Sequence, residues 1–343
     1  MRVGMYYSNS DVRIENQPVP EIGPDEFLLR VEASGICGSD VMEWYRKDKV
    51  PLVLGHEVAG VIDKVGDKVT KYKEGDRVAV THHVPCFSCH YCKSGHETVC
   101  ETLQRGTKFY PGGFAEYVRV PAINVEYGTF PIPEGVSFEE ASFTEPLACV
   151  LRGQNQARIK LGQTVLVVGS GISGLMHINL ARANGAGRII AFDTIDYRLE
   201  EAKKFGADDV ISNEEKVGDQ VRDLNDCKLA DVVIICRGAF TKQALESVES
   251  GGTVLFFAGA RENDMIPMTI NDLFWRRELT LTSAYAGAPA DCTNALKLIR
   301  AGSVRVKDMI SHRLAFDEIQ TGFQMVSQPW KQYTVKVVVE PQR

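Results

Sequence analysis

The chain is 343 residues long, which at about 150 residues per domain predicts two domains. Apolar residues make up 44% and charged residues 24%, a composition that supports packed cores and excludes disorder and collagen-like repetition. Lys and Arg number 39 against 45 Asp and Glu, a formal charge of −6 without basic clusters, so a nucleic acid or an anionic membrane is not an expected partner.

The opening residues, MRVGMYYSNSDVRIENQ, have no basic stretch followed by an apolar core. They do not read as a secretory signal, and a cytoplasmic protein is expected. No apolar run approaches the ~18 residues that would span a bilayer. Residues 1–148 are rich in Gly and Pro, with alternating stretches at 27–33, 60–65, 77–80 and 114–120. Helical periods are scarce there, which predicts a mainly β zone with long loops. The pattern turns helical around 145–156, and then strands and helices alternate. Strands are expected at 164–168, 188–192, 209–211, 230–236 and 253–257, with helices at 175–184, 198–205 and 241–248. Apolar strands separated by helices are what a parallel sheet covered on both faces requires, so this zone reads as a doubly wound α/β domain. Beyond it, helices are expected at 290–301 and 317–327. An alternating run at 333–340 has no sheet of its own and is expected to return to the first zone.

Nine cysteines fall at 37, 86, 89, 92, 100, 149, 227, 236 and 292. An odd number in a long chain argues against a disulfide framework, whereas a tight cluster points to metal. Cys86, Cys89, Cys92 and Cys100 spell C-x2-C-x2-C-x7-C. Four thiolates close a tetrahedral zinc site that only staples a loop; the short spacing also resembles ferredoxin-type runs, leaving an iron–sulfur cluster as the alternative. A second, open site is suggested by Cys37 in Ile36-Cys37-Gly38-Ser39-Asp40 and His56 in Leu54-Gly55-His56-Glu57, a thiolate and an imidazole suited to Zn²⁺. Glu57 and Glu145 are acidic candidates beside them.

Gly169-Ser170-Gly171-Ile172-Ser173-Gly174 follows an expected strand and opens an expected helix, the context a dinucleotide fingerprint needs. Gly169 would make the tight turn, Gly171 admit the pyrophosphate and Gly174 allow helix on strand, with the N–H groups from Ile172 onward facing phosphate. Asp193, nineteen residues past Gly174, would accept both ribose hydroxyls and repel a 2′-phosphate, favouring NAD over NADP. Arg198 lies near enough to leave some NADP use open. Phe257-Ala258-Gly259 is a later glycine-containing strand end.

Gly55-His56-Glu57-x2-Gly60-x5-Gly66-x2-Val69, the cysteine cluster, Gly112-Gly113-Phe114-Ala115-Glu116-Tyr117 and Glu145-Pro146-Leu147 together resemble the zinc-dependent medium-chain dehydrogenases, in consistent order from about residue 1 to 340. Glu145-Pro146-Leu147 resembles their sorbitol, threonine and butanediol dehydrogenase branch. The resemblance implies a GroES-like catalytic domain at 1–148 with a structural-zinc lobe at about 84–102, a Rossmann cofactor domain at 149–288, and a return to the catalytic domain at 289–343. It implies two zinc ions per subunit: a structural one on the four cysteines and a catalytic one on Cys37, His56 and either Glu57 or Glu145. Ser39 is the implied first member of a proton relay, Gly259 borders the nicotinamide, and Arg198 packs near the adenosine. The implied reaction is hydride transfer between NAD and a secondary alcohol, most readily a polyol, sugar or sugar derivative, in a homodimer or homotetramer. A threonine- or butanediol-type dehydrogenase and a non-catalytic NAD- and zinc-binding protein are the alternatives. Three departures stand out: Met42 and Arg152 where the family often has histidine, and Ala286-Gly287 where sorbitol dehydrogenases place Arg-Tyr. The last counts against sorbitol itself. Arg152 and Arg237 face either solvent or cofactor phosphate, or meet an anionic substrate.

Overall fold

The structure, a computed structural model, describes residues 1–105, 109–261, 263–266 and 268–343. Its strands in chain order are β1 (Arg2–Ser8), β2 (Asp11–Asn16), β3 (Phe27–Gly35), β4 (Leu52–Val53), β5 (Glu57–Val65), β6 (Arg77–Val80), β7 (Tyr117–Val120), β8 (Thr129–Pro131), β9 (Thr164–Val168), β10 (Arg188–Phe192), β11 (Asp209–Ile211), β12 (Ala230–Ile235), β13 (Val248–Phe256), β14 (Thr280–Ser283), β15 (Ile310–Ala315) and β16 (Lys336–Glu340). Two compact units emerge, one of residues 1–148, 286–302 and 306–343, the other of 149–285 and 303–305. Among the described residues no helix is long and apolar enough to cross a membrane.

In the second unit six parallel strands take the order β11-β10-β9-β12-β13-β14. β9 reads TVLVV and is buried throughout, and β12 reads ADVVII with only Asp231 half-buried. Branched side chains on both faces suit a sheet covered by helices on either side, here 172–183, 196–204, 217–224 and 241–246. On one face Leu166, Val168, Ile190, Phe192, Val233 and Ile235 form the core. The order reverses at β9, so the glycine fingerprint following that strand sits at the topological switch point where nucleotides bind. β13 starts at Val248, earlier than the run at 253–257 predicts, because Val248 already pairs with Ala230 ahead of a register shift that leaves 249–252 without a strand partner or a side-chain pattern.

The first unit holds a sheet of order β15-β16-β3-β5-β6-β8 with β7 also on β3, and a small β2-β1-β4 sheet. β3 is its spine. One edge of β3 takes β7 at Phe27–Arg30 and β16 at Ser34 and Gly35, while the other takes β5 along its length. Gly60 in β5 is required by close approach, since a Cβ there would lie 2.0 Å from the Arg30 carbonyl oxygen. The β3–β5 register sets Gly35 opposite Glu57, and β16 sets Val338 opposite Gly35. Three distant pieces of sequence, 35–40, 54–57 and 336–338, therefore meet at one end of the sheet. The stretch expected from 114 becomes strand only at Tyr117, because Gly113 and Phe114 donate instead to the carbonyls of Gly55 and Leu54 at 2.9 Å each.

Candidate active site

Cys37 caps a short turn, Gly38–Val41, directly beyond β3, while His56 immediately precedes β5. One ligand atom from each of Cys37, His56 and Glu57 lies within 4.8 Å of the others, a group able to hold a metal ion. Asp40, fully buried, stands behind the imidazole: its Oδ1 is 3.5 Å from His56 Nδ1, and its Oδ2 accepts from the Cys37 N–H at 3.0 Å. A carboxylate on Nδ1 leaves Nε2 for a metal, the usual outer support of a ligating histidine. Burial opposes charging His56, but the charge of Asp40, together with Cys37, outweighs it and raises the imidazole pKa. Asp40 Oδ1 also lies 3.8 Å from Arg46 Nη2. Thiolate, imidazole and carboxylate at this spacing fit Zn²⁺ with a position left open.

Glu57 is 1% exposed and pairs directly with Lys336, itself 1% exposed, whose Nζ also donates to the Ile36 carbonyl at 3.1 Å. Burial outweighs the pull of Lys336 and His56, so the Glu57 carboxyl pKa is raised. No room is spare here: a Cβ on Gly35 would lie 2.0 Å from Glu57 Oε2. Glu145, on the helix Thr144–Ala157, falls outside this trio. Its carboxylate groups with His82 and His83, again with ligand atoms within 4.8 Å of one another, and Oε1 is 3.0 Å from His83 Nδ1. Ser39 is half-buried two residues past Cys37, its N–H 3.4 Å from the Cys37 sulfur and its carbonyl accepting from Arg46 Nε at 3.3 Å. Lys336, Asp40, His82 and His83 carry no motif. Signals existed for the last strand, where a lysine inside an apolar run demands a buried acid, and for the histidine pair just before the cysteine cluster.

Cys86, Cys89, Cys92 and Cys100 converge within 4.8 Å of one another. The Cys89–Cys92 and Cys86–Cys92 sulfurs are 3.5 and 4.0 Å apart, bracketing the edge of about 3.8 Å that a tetrahedron with Zn–S bonds of about 2.3 Å requires. Backbone N–H groups of Cys86 and Cys89 each lie 3.3 Å from a cluster sulfur. Hydrogen bonds from Ser88 and nearby backbone draw Cys86 down to about 5, whereas burial and its sulfur neighbours push Cys92 up to about 12. The residues fit a structural zinc.

In the other unit Gly169 has φ +99°, the left-handed turn expected of it. A Cβ on Gly174 would strike the Gly169 carbonyl oxygen at 1.9 Å, while one on Gly171 meets nothing nearer than Arg198 Cζ at 4.0 Å. The loop thus presses closely on the helix Ile172–Ala183 at one glycine and stands open at another. Asp193 is fully buried at the end of β10. Its carboxylate accepts from Ser170 N–H at 2.8 Å and Ile195 N–H at 3.1 Å, with Arg198 Nη1 at 3.6 Å. It therefore shapes the glycine loop directly. The Gly259 carbonyl comes within 4.0 Å of where a Cβ on Gly238 would stand, so the turn after β13 borders the one after β12. Arg237 lies along Gly169, with its guanidinium 5.0 Å from the Phe240 ring centre.

Residues 23–134 match the profile of the alcohol dehydrogenase GroES-like domain and residues 173–301 that of zinc-binding dehydrogenase. A protein named Probable D-xylulose reductase A from Aspergillus clavatus is 36% identical over 331 residues, covering 92% of this chain and 90% of its own. A sorbitol dehydrogenase from Bacillus subtilis is 31% identical, covering 100% and 98%. Among solved structures, one described as a zinc-binding dehydrogenase from Sinorhizobium meliloti bound to NADP superimposes with a TM-score of 0.86 at 30% identity, covering 99% of both chains.

Proposed function

The chain belongs to the zinc-dependent medium-chain alcohol dehydrogenase family, and from that premise we propose that it transfers a hydride between NAD and a secondary hydroxyl of a polyol, sugar or sugar derivative. The observation that carries this reading is the open trio of Cys37, His56 and Glu57, backed by Asp40. When bound, zinc lowers the pKa of a hydroxyl presented to it and the nicotinamide accepts the hydride. This chain's residues do the rest. Asp40 fixes the tautomer and angle of His56. Lys336 holds one oxygen of Glu57, which opposes the effect of burial on the carboxylate and fixes its aim. Ser39, on the turn that carries Cys37, relays the substrate proton: its hydroxyl oxygen accepts that proton as its own hydroxyl proton passes on toward solvent. Glu57 serves as the carboxylate ligand and Glu145 remains in reserve beside it. In the other unit the open face at Gly171 receives the pyrophosphate on the helix N-terminus.

NAD is preferred over NADP in this reading because Asp193 places a carboxylate at the end of β10, where the adenosine ribose binds. A cytoplasmic homodimer or homotetramer is proposed with it, supported by an open sheet edge at β14 flanked by exposed Ile270, Trp275 and Leu281. The test is a panel of polyols, sugars, amino alcohols and diols, followed by reduced-cofactor absorbance with NAD and NADP in parallel. Turnover on polyols or sugars with NAD is expected. Activity confined to amino alcohols or short diols would move the substrate assignment, and a preference for NADP would overturn the role given to Asp193.

A further inference from the structure

We propose that His177 is a positioning residue for the nicotinamide, acting through Phe257 on the turn Phe257-Ala258-Gly259. This role rests on the cofactor reading. With the adenosine ribose at Asp193 beyond β10 and the pyrophosphate at the turn after β9, the rest of a dinucleotide lies across the switch point, over the ends of β12 and β13. Residues 257–259 are the turn that follows β13. It is tied at its start, where the N–H groups of Phe257 and Ala258 both donate to the Ile235 carbonyl, at 3.0 and 2.9 Å, and it ends in the exposed Gly259. The half-buried Phe257 side chain links this turn to the interior of the unit.

The Phe257 ring meets two helices. Gly153, of the helix Thr144–Ala157, offers bare backbone: a Cβ there would lie 3.2 Å from Phe257 Cδ2 and 3.3 Å from His177 Cε1. His177, of the helix Ile172–Ala183, stands perpendicular to Phe257, with ring centres 4.6 Å apart and planes at 87°. That is the edge-to-face geometry in which aromatic rings attract. Gln154 holds the imidazole in place. Its Nε2 donates to the His177 carbonyl at 2.8 Å and to Nδ1 at 3.4 Å, while its Oε1 accepts from Asn184 at 3.1 Å. Burial lowers the His177 pKa to about 3, so the ring is neutral near pH 7. An amide nitrogen only donates; Nδ1 is therefore the acceptor, and the ring proton sits on Nε2. That nitrogen is buried and finds no hydrogen-bond partner. A buried N–H left unpaired is costly, and an apolar side chain of similar size would escape the cost. Space filling alone does not account for histidine at 177, whereas a polarised ring in edge contact with Phe257 does.

The experiment titrates the full-length protein calorimetrically with NADH and with ADP-ribose, which carries the same adenosine and diphosphate but no nicotinamide. Wild type is expected to bind NADH more tightly than ADP-ribose. His177→Leu fills the space without the polarised ring. It should cut the NADH advantage about three- to tenfold, the worth of one edge-to-face ring pair, and leave ADP-ribose affinity unchanged. A purely structural role predicts equal losses for both ligands, or none. Gly153→Ala presses on Phe257 and His177 from the other helix at 3.2–3.3 Å and should cut the advantage in the same way. Helix propensity favours that substitution, so it decides alone if circular dichroism shows His177→Leu to be unfolded. Failure of wild type to bind NADH would sink the cofactor reading and this role together. A wild-type preference for NADH that folded His177→Leu keeps in full would leave the cofactor reading standing and overturn the role of His177, as would equal wild-type affinity for the two ligands.

Discussion

Alanine at Gly171 and alanine at Gly174 should have opposite consequences, although the two positions are three residues apart. At Gly174 the new Cβ would stand 1.9 Å from the Gly169 carbonyl oxygen and 3.5 Å from Val167 Cγ1, whereas a relaxed C···O contact is about 3.3 Å or longer. The helix must therefore withdraw from the loop by more than 1 Å (about 3.3 less 1.9). Overpacking of that kind costs about 1–3 kcal/mol, offset by up to about 1 kcal/mol of improved helix propensity. A net loss of about 1–2 kcal/mol lowers Tm by roughly 2–8 °C for a unit of this size. At Gly171 the nearest atom is 4.0 Å away and φ is negative at −71°, so alanine fits. A poorer helix cap and a less flexible unfolded chain roughly cancel, each being about 0.5–1 kcal/mol. The methyl group then stands where the pyrophosphate is proposed to approach. Calorimetry and NADH fluorescence titration on both variants should show Gly174→Ala melting early, and Gly171→Ala melting like wild type but binding NADH at least about tenfold more weakly, about 1.4 kcal/mol. Wild-type NADH affinity in Gly171→Ala would refute the placement of the cofactor.

His177 is fully buried, and burial lowers its pKa from 6.5 to about 3. The unfolded chain therefore binds the extra proton first, so stability is complete above about pH 6.5 and drains as pH falls toward 3. At pH 5 the loss is about 2 kcal/mol, from about 1.5 units at 1.36 kcal/mol each; denaturant unfolding of wild type and His177→Leu at pH 7.5 and 5 should show that loss in wild type alone, and parallel behaviour would contradict it. Cys37→Ser should abolish turnover while NADH titration remains normal; surviving activity would remove Cys37 from the metal. Cys89→Ser should lower zinc content by one per chain and raise proteolysis within residues 84–105, and an unchanged metal count would mean that the four sulfurs do not share an ion.

The parallel sheet was legible because β9, β10 and β12 are apolar runs bounded by glycine turns and helices, and periodicity reports such strands directly. The hairpin of β1 and β2 was not, because its residues are mostly half-buried and its alternation is blurred. β15 has only Ile310 and Leu314 buried, too few to mark a strand. Cys37, His56 and the four clustered cysteines stood out by chemistry and spacing. Lys336 did not, since its meaning lies in a partner 279 positions away that only β-sheet register brings near. The separation of Glu57 from Glu145 is likewise a matter of which backbone each rides on: one begins β5 beside His56, while the other projects from a helix toward His82 and His83.

The position of β16 between β15 and β3 bears on how the protein is made. A ribosome delivers β3 and Glu57 well before Lys336, and at about 5–20 residues per second the delay is some tens of seconds or less. Throughout that interval the nascent amino-terminal sheet lacks a neighbour along part of β3, and a buried acid waits for its cation. The nucleotide-binding unit, whose strands run uninterrupted from β9 to β14, can consolidate meanwhile. Completion of the first unit is thus deferred until the carboxyl-terminal strand arrives, so the surroundings of Cys37, His56 and Glu57 are complete only late in biosynthesis.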